Sequence, residues 1–198
     1  IRNGVMVERL DVNIYGISYR GSSVQVDLNI PRHRQYESPY PLSYHQVERE
    51  YFSVIHSGES DGWDINHPAM SSIICFQGKL FLVDAGPNLP AIMNALGISV
   101  SEIEGIFHTH SHDDHFAGLP TLMQTDHRIR YFATPLVRAA VTKKLTAMLG
   151  VEEREFEHYF DVHDLDVDSW NKIGGLEVRP IFSPHPVETT CFYFRTMG

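Results

Sequence analysis

An α/β fold is what the sequence predicts, on three observations. Apolar runs of strand length recur at residues 71–77, 80–83 and 176–182. Between them lie helix-spaced segments, clearest at 135–149, where Leu136, Val137, Val141, Leu145 and Met148 share a face. The densest chemistry, Phe107-His108-Thr109-His110-Ser111-His112-Asp113-Asp114-His115-Phe116-Ala117-Gly118, falls where a strand-like run passes into a helix-like one. Loops of that kind carry the functional groups of α/β folds.

The elements follow in order. Two strands, 11–19 and 24–30, are expected around Gly21-Ser22-Ser23, with Val24, Val26, Leu28 and Ile30 alternating against Gln25, Asp27 and Asn29. Residues 31–44, with Pro31, Pro39 and Pro41, read as an extended connector, so 1–48 form an N-terminal hairpin and connector ahead of a main domain at 49–198. His33 and His45 read as surface residues and Trp63 as a packing residue, and His67 has no second ligand among its neighbours. A strand at 50–57 precedes the turn-rich Ser57-Gly58-Glu59-Ser60-Asp61-Gly62, and a hairpin at Gly78-Lys79 joins 71–77 to 80–83.

Asp84 then ends a strongly apolar strand, where an unpaired carboxylate would be costly to bury. It either orients a ligand histidine or caps the helix that follows, and the first reading is preferred. Helices are expected at 90–96, 116–125, 135–149 and 152–160, and strands at 101–107 and 130–133. Gly174-Gly175 turns into strand 176–182, after which Ser183-Pro184-His185-Pro186 holds His185 stiffly between two prolines. His163, beside Asp161 and Asp164, ranks below it.

Composition narrows the function. The 198 residues, 42% hydrophobic, suit one ordinary domain with an extension, and no apolar run approaches the roughly 20 residues of a membrane helix. A net charge of -9 opposes an extended nucleic-acid surface, which needs many lysine and arginine contacts to phosphate. Cys75 and Cys191 lie in apolar surroundings without a disulfide pattern, which leans toward a reducing, cytoplasmic setting.

In an extended segment side chains two apart point the same way, so His110, His112 and Asp114 are expected to converge while His115 breaks parity. One loop thus supplies two adjacent ions: His110 and His112 suit the first, Asp114 and His115 the second. Imidazole nitrogen and carboxylate oxygen both bind zinc at about 2.0–2.2 Å, and residue types alone leave other transition metals open.

Thr109-His110-Ser111-His112-Asp113-Asp114-His115 resembles the T-H-x-H-x-D-H signature of the metallo-β-lactamase superfamily. Phe81-Leu82-Val83-Asp84-Ala85-Gly86 and Ser183-Pro184-His185-Pro186 resemble, in the same order, its strand ending in Asp and Gly and its downstream ligand histidine. The resemblance, from Ser71 onward, implies a four-layer αββα sandwich, and the N-terminal β-hairpin extension read from its own residues is expected to dock on it or mediate homodimer contacts. It implies a hydrolase using a metal-bound hydroxide, with His110, His112 and His185 on one ion, Asp114 and His115 on another, Asp114 catalytic, and Asp84 supporting the ligands from behind. Zinc is the expected metal, two ions in the full-length protein, with iron or manganese as alternatives.

Family members add a bridging aspartate and a final histidine downstream, and neither lies within these 198 residues, so the sandwich is expected to be incomplete at its C-terminal side. The segment after His185 lacks the Thr-Pro-Gly of thioester-hydrolysing relatives and looks more like the nuclease and phosphodiesterase branch. The expected substrate is therefore a small molecule or nucleotide bearing a phosphodiester, such as a cyclic nucleotide or an RNA end. The alternatives are hydrolysis of thioesters, lactones or lactams, a di-iron redox or oxygen-sensing domain on the same scaffold, and a non-catalytic module.

Overall fold

In the computed structural model, residues 3–29, 42–62, 64 and 67–196 are described. The chain divides into two compact units, residues 1–37 and 38–198. The first is an antiparallel meander of β1 (Met6–Asp11), β2 (Ile14–Tyr19) and β3 (Ser22–Asp27), paired in that order. The expected two-stranded hairpin is thus corrected to three strands. Residues 11–19 are not one strand, because Asn13 takes a positive φ of 55° and turns the chain between β1 and β2. β1 escaped notice because all six of its residues are exposed, leaving no buried face to impose alternation. The second turn uses Arg20 and Gly21, both at positive φ, the backbone that matches hairpin twist. His33, Trp63 and most of the predicted connector lie outside the described residues.

The second unit is built on a six-stranded sheet, β4 (Phe52–Gly58), β5 (Ser71–Phe76), β6 (Lys79–Val83), β7 (Ile103–Phe107), β8 (Ile129–Ala133) and β9 (Phe160–Asp164), side by side in chain order. β4 to β6 pair antiparallel, and β6 to β9 parallel. Near-continuous apolar runs are what this sheet requires, because both faces are covered. Ile73, Cys75, Leu80 and Leu82 face a helical layer through Leu89, Met93, Phe116, Leu119, Val137, Val141 and Leu145. Their sequence neighbours Ile74, Phe76 and Phe81 face the other way, onto Leu176 and Val178.

The helical layer comprises α1 (Leu89–Ala95), α2 (Asp113–Phe116), α3 (Leu119–Leu122), α4 (Pro135–Leu149) and α5 (Phe156–Tyr159). The second sheet is the antiparallel set β10 (Asn171–Ile173), β11 (Leu176–Phe182) and β12 (Thr190–Thr196). Among the described residues the layers run helix, sheet, sheet. Phe107 knits the two sheets together, stacking on Phe132 at 4.8 Å and meeting Phe194 edge-on at 5.1 Å.

Two further expectations change. The helix expected at 116–125 is two short helices, because Pro120, in the first turn of the second, has no N–H to bond to Phe116 and cannot continue the first. Between them the chain presses so closely on the Asp84-Ala85-Gly86 turn that a Cβ at Gly118 would lie 2.1 Å from the Gly86 carbonyl oxygen. The helix expected at 152–160 shortens to a 3-10 turn and α5, after which Phe160 and Val162 point inward as part of β9.

Because β6 and β7 are parallel neighbours, with Val83 beside Phe107, Asp84 and the histidine segment leave the sheet at the same edge. The loop after β11 returns there, and the Thr190 amide donates to the Thr109 carbonyl at 3.0 Å. This is the carboxyl-end crevice where open α/β sheets place ligands. Gly118→Ala is expected to destabilise the protein by about 2–3 kcal/mol, since backbone rather than a side-chain tip must move. Thermal denaturation showing an unchanged midpoint would contradict the tight packing described here.

Candidate metal centre

The centre is assembled by one buried carboxylate. Asp84 is only 2% exposed and sits at φ +64°, a left-handed conformation that aspartate tolerates better than most residues. Its Oδ1 accepts from the Thr109 amide at 2.7 Å. Its Oδ2 accepts from the Thr109 hydroxyl at 2.6 Å and from His115 Nδ1 at 2.7 Å. Burial pushes the Asp84 pKa up, but the His115 hydrogen bond, the nearby His108 and His115 charges and the Thr109 hydroxyl together carry it below the ordinary carboxylate value.

These contacts set the histidine tautomers. A carboxylate only accepts, so His115 carries its proton on Nδ1 and turns Nε2 outward. Thr109 has spent its single hydroxyl proton on Asp84, so its oxygen accepts from His110 Nδ1 at 2.8 Å, and His110 too presents Nε2. Burial, followed by the neighbouring His115 charge, lowers the His110 pKa to about 4. Its lone pair is therefore free at neutral pH.

His112, at the start of α2, and His185, after β11, complete the cluster: His185 Nε2 lies 3.0 Å from His112 Nδ1. One donor atom each from His110, His112 and His185 lies within 4.8 Å of the others. Four ligands at the zinc–nitrogen distance of about 2.0–2.1 Å stand roughly 3.3 Å apart around a tetrahedron. The His112–His185 pair, at 3.0 Å, is near that spacing, and the three donors together could hold a metal ion.

Asp114 and His115 form a neighbouring pair, with His115 Nε2 3.3 Å from Asp114 Oδ2. Asp114 lines the same cavity as His110 and His112, as expected, but His115 does not point away from them, because α2 begins at Asp113 and replaces the two-residue strand repeat with a helical turn. His115 accordingly lies 4.0 Å, ring to ring, from His110, nearer than His112 at 4.8 Å.

A cavity of about 710 Å³ opens over these groups, lined also by Glu59, Ser60, Asp61, Gly62, Met70 and Asp113. No lysine or arginine is among its described lining residues. Gly62, at φ +81°, is pressed against Asp114, whose Cβ would lie 2.6 Å from a Cβ added there. The turn at 57–62 and the threonine of the motif are both visible in the sequence, but neither was expected to take part in the site. The turn carries no local sign of its distant neighbour, whereas the hydroxyl ahead of His110 was a signal to be read. His67 pairs with Asp64 at 2.8 Å and His163 with Asp161 at 2.9 Å, and neither lines the cavity.

The family model of the Anti-Pycsar protein Apyc1 matches residues 52–196, nearly the whole second unit. The chain belongs to the Apyc1 family. Beyond the Apyc1 model, the chain is 24% identical over 159 residues to the cAMP/cGMP-dependent 3',5'-cAMP/cGMP phosphodiesterase B of Dictyostelium discoideum, covering 78% of this chain and 14% of that protein. It is 29% identical over 135 residues to a ribonuclease Z of Methanococcus maripaludis, covering 65% of this chain and 43% of that protein. The chain thus spans less than half the length of either relative. Among solved structures, the metallo-β-lactamase fold protein YhfI of Bacillus subtilis superposes with a TM-score of 0.58 at 16% identity, over 72% of this chain and 56% of that one. The fold of this Apyc1-family chain is therefore the metallo-β-lactamase fold expected from the motif.

Asp84→Asn would leave a donor amide or a single acceptor facing His115 Nδ1 and Thr109, so both presenting nitrogens lose their fixed orientation. Zinc affinity measured by chelator competition is expected to fall by about 10–100-fold. An unchanged affinity would dismiss Asp84 as the organiser of the ligands.

Proposed function

We propose that this chain carries the metal-binding part of a phosphodiesterase acting on a small phosphodiester, a cyclic nucleotide in preference to an RNA end. The observation that carries the reading is the convergence of the three imidazole donors within 4.8 Å at the base of the cavity. The names of two relatives, a cyclic-nucleotide phosphodiesterase and a ribonuclease Z, support a phosphodiester. The absence of lysine and arginine from the described cavity lining, with Glu59, Asp61, Asp113 and Asp114 present, favours a substrate with one phosphate over a long polyanion.

His110, His112 and His185 would hold one divalent ion, zinc by preference, and Asp114 and His115 would contribute to a second. The chemistry such ions would supply is Lewis acidity, which would polarise a phosphoryl oxygen and lower the pKa of a bound water to about 7. Asp114 orients the attacking water and takes up its proton. The Asp84 carboxylate keeps His115 turned outward by holding its Nδ1 proton, and Thr109 does the same for His110. Met70 and the Glu59–Gly62 turn wall the cavity and limit the size of what enters.

Asp114→Asn is expected to lower kcat on cyclic AMP or bis(p-nitrophenyl) phosphate by about 100-fold or more, with KM within about threefold. Dialysis against a chelator should abolish turnover in the full-length protein, and added zinc, iron or manganese should restore it. Full activity in the chelated protein, or an Asp114→Asn rate equal to wild type, would overturn the reading.

A further inference from the structure

The ligand-bearing segment is held from outside by a residue that none of the motifs contains. Between the end of β7 and the start of α2 the chain has no regular secondary structure, yet His110 and His112 must both be delivered from it. Lys144, on α4, reaches across to this segment. Its Nζ donates to the Ser111 carbonyl at 2.6 Å, pairs with Asp113 Oδ1 at 2.6 Å and lies 4.5 Å above the Phe116 ring. The three contacts fall on the carbonyl between the two histidines, the carboxylate next to Asp114, and the buried ring that ends α2.

The platform is rigid. Val141 and Leu145, flanking Lys144 on α4, are buried in the core, and the Lys144 side chain is only 30% exposed. The contacts are unequal in strength. A charged donor on a partly buried carbonyl is a strong, directional bond, whereas the Asp113 carboxylate is 83% exposed and its pairing is weakened by solvent.

We infer that Lys144 is a positioning residue for the metal centre: by gripping the Ser111 carbonyl it fixes the turn that aims His110 and His112 at a shared ion. The inference rests on the metal-binding reading above, not on the choice of substrate. Lysine suits the task because its ammonium carries three donors on a stem that packs over an aromatic ring while the charged end reaches a polar group. A neutral residue at this point would leave the Ser111 carbonyl to solvent and free the turn.

The test compares Lys144→Met, which keeps the stem over Phe116 and removes the donor, with Lys144→Arg and Asp113→Asn in the full-length protein, using zinc as the probe. Lys144→Met is expected to weaken zinc binding about 10–100-fold by chelator competition and to lower kcat on a phosphodiester similarly, with KM within about threefold. Its metal-free melting temperature should stay within about 3 °C of wild type. Lys144→Arg should recover most of the zinc affinity, and Asp113→Asn should change it less than about threefold.

Zinc affinity in Lys144→Met within twofold of wild type overturns the inference. So does a loss in Asp113→Asn equal to that in Lys144→Met, or a metal-free melting temperature lowered by about 10 °C or more, which makes Lys144 a fold residue. If wild type binds zinc but cleaves no phosphodiester, the substrate reading fails while the affinity comparison still decides on Lys144.

Discussion

The structure around the centre depends on the buried Asp84 carboxylate satisfying three donors at once. A charge at that depth persists only because each lone pair facing protein is engaged. The same hydrogen bonds settle which nitrogen of His115, and through Thr109 which nitrogen of His110, faces the cavity. Folding and ligand chemistry are thus coupled: the group that would be intolerable if unpaired is the one that pre-aims two histidines. The left-handed backbone at Asp84 belongs to this economy, since it turns the chain off β6 while aiming the side chain beneath the neighbouring loop.

Much of this was legible in the residues. The strands at 71–76 and 79–83 and the long helix α4 were visible because tertiary packing on both faces leaves apolar runs or helical spacing in the sequence. His110, His112 and His185 were singled out from motif and order, and the structure brings their donors together. What stayed hidden was set by tertiary contact rather than local pattern. β1 has no buried face, and the need for glycine at 118 comes from the Gly86 carbonyl that lies against it, whereas Pro120 at the start of α3 was a local sign that the helix is divided. Strict two-residue parity failed at His115 because a helical turn starts midway through the motif. The roles of Gly62 and Lys144 depend on segments that meet the motif only in three dimensions.

Charge shapes the cavity as much as geometry does. The net charge of -9 is reflected locally in a rim bearing Glu59, Asp61, Asp113 and Asp114, so the anionic substrate proposed above would meet repulsion until bound dications offset it. Substrate affinity and metal content would then be tied together more closely than in a pocket lined by lysines or arginines.

His112 and His185 stand 73 positions apart in the chain and 3.0 Å apart in space. An ion shared by them would close a long loop and act as a removable cross-link between the β10–β12 sheet and the crevice of the six-stranded sheet, shrinking the disordered ensemble much as a disulfide does. Depleting the metal would then loosen the seam between the two sheets as well as silencing the centre, so resistance to proteolysis would rise and fall with ion supply.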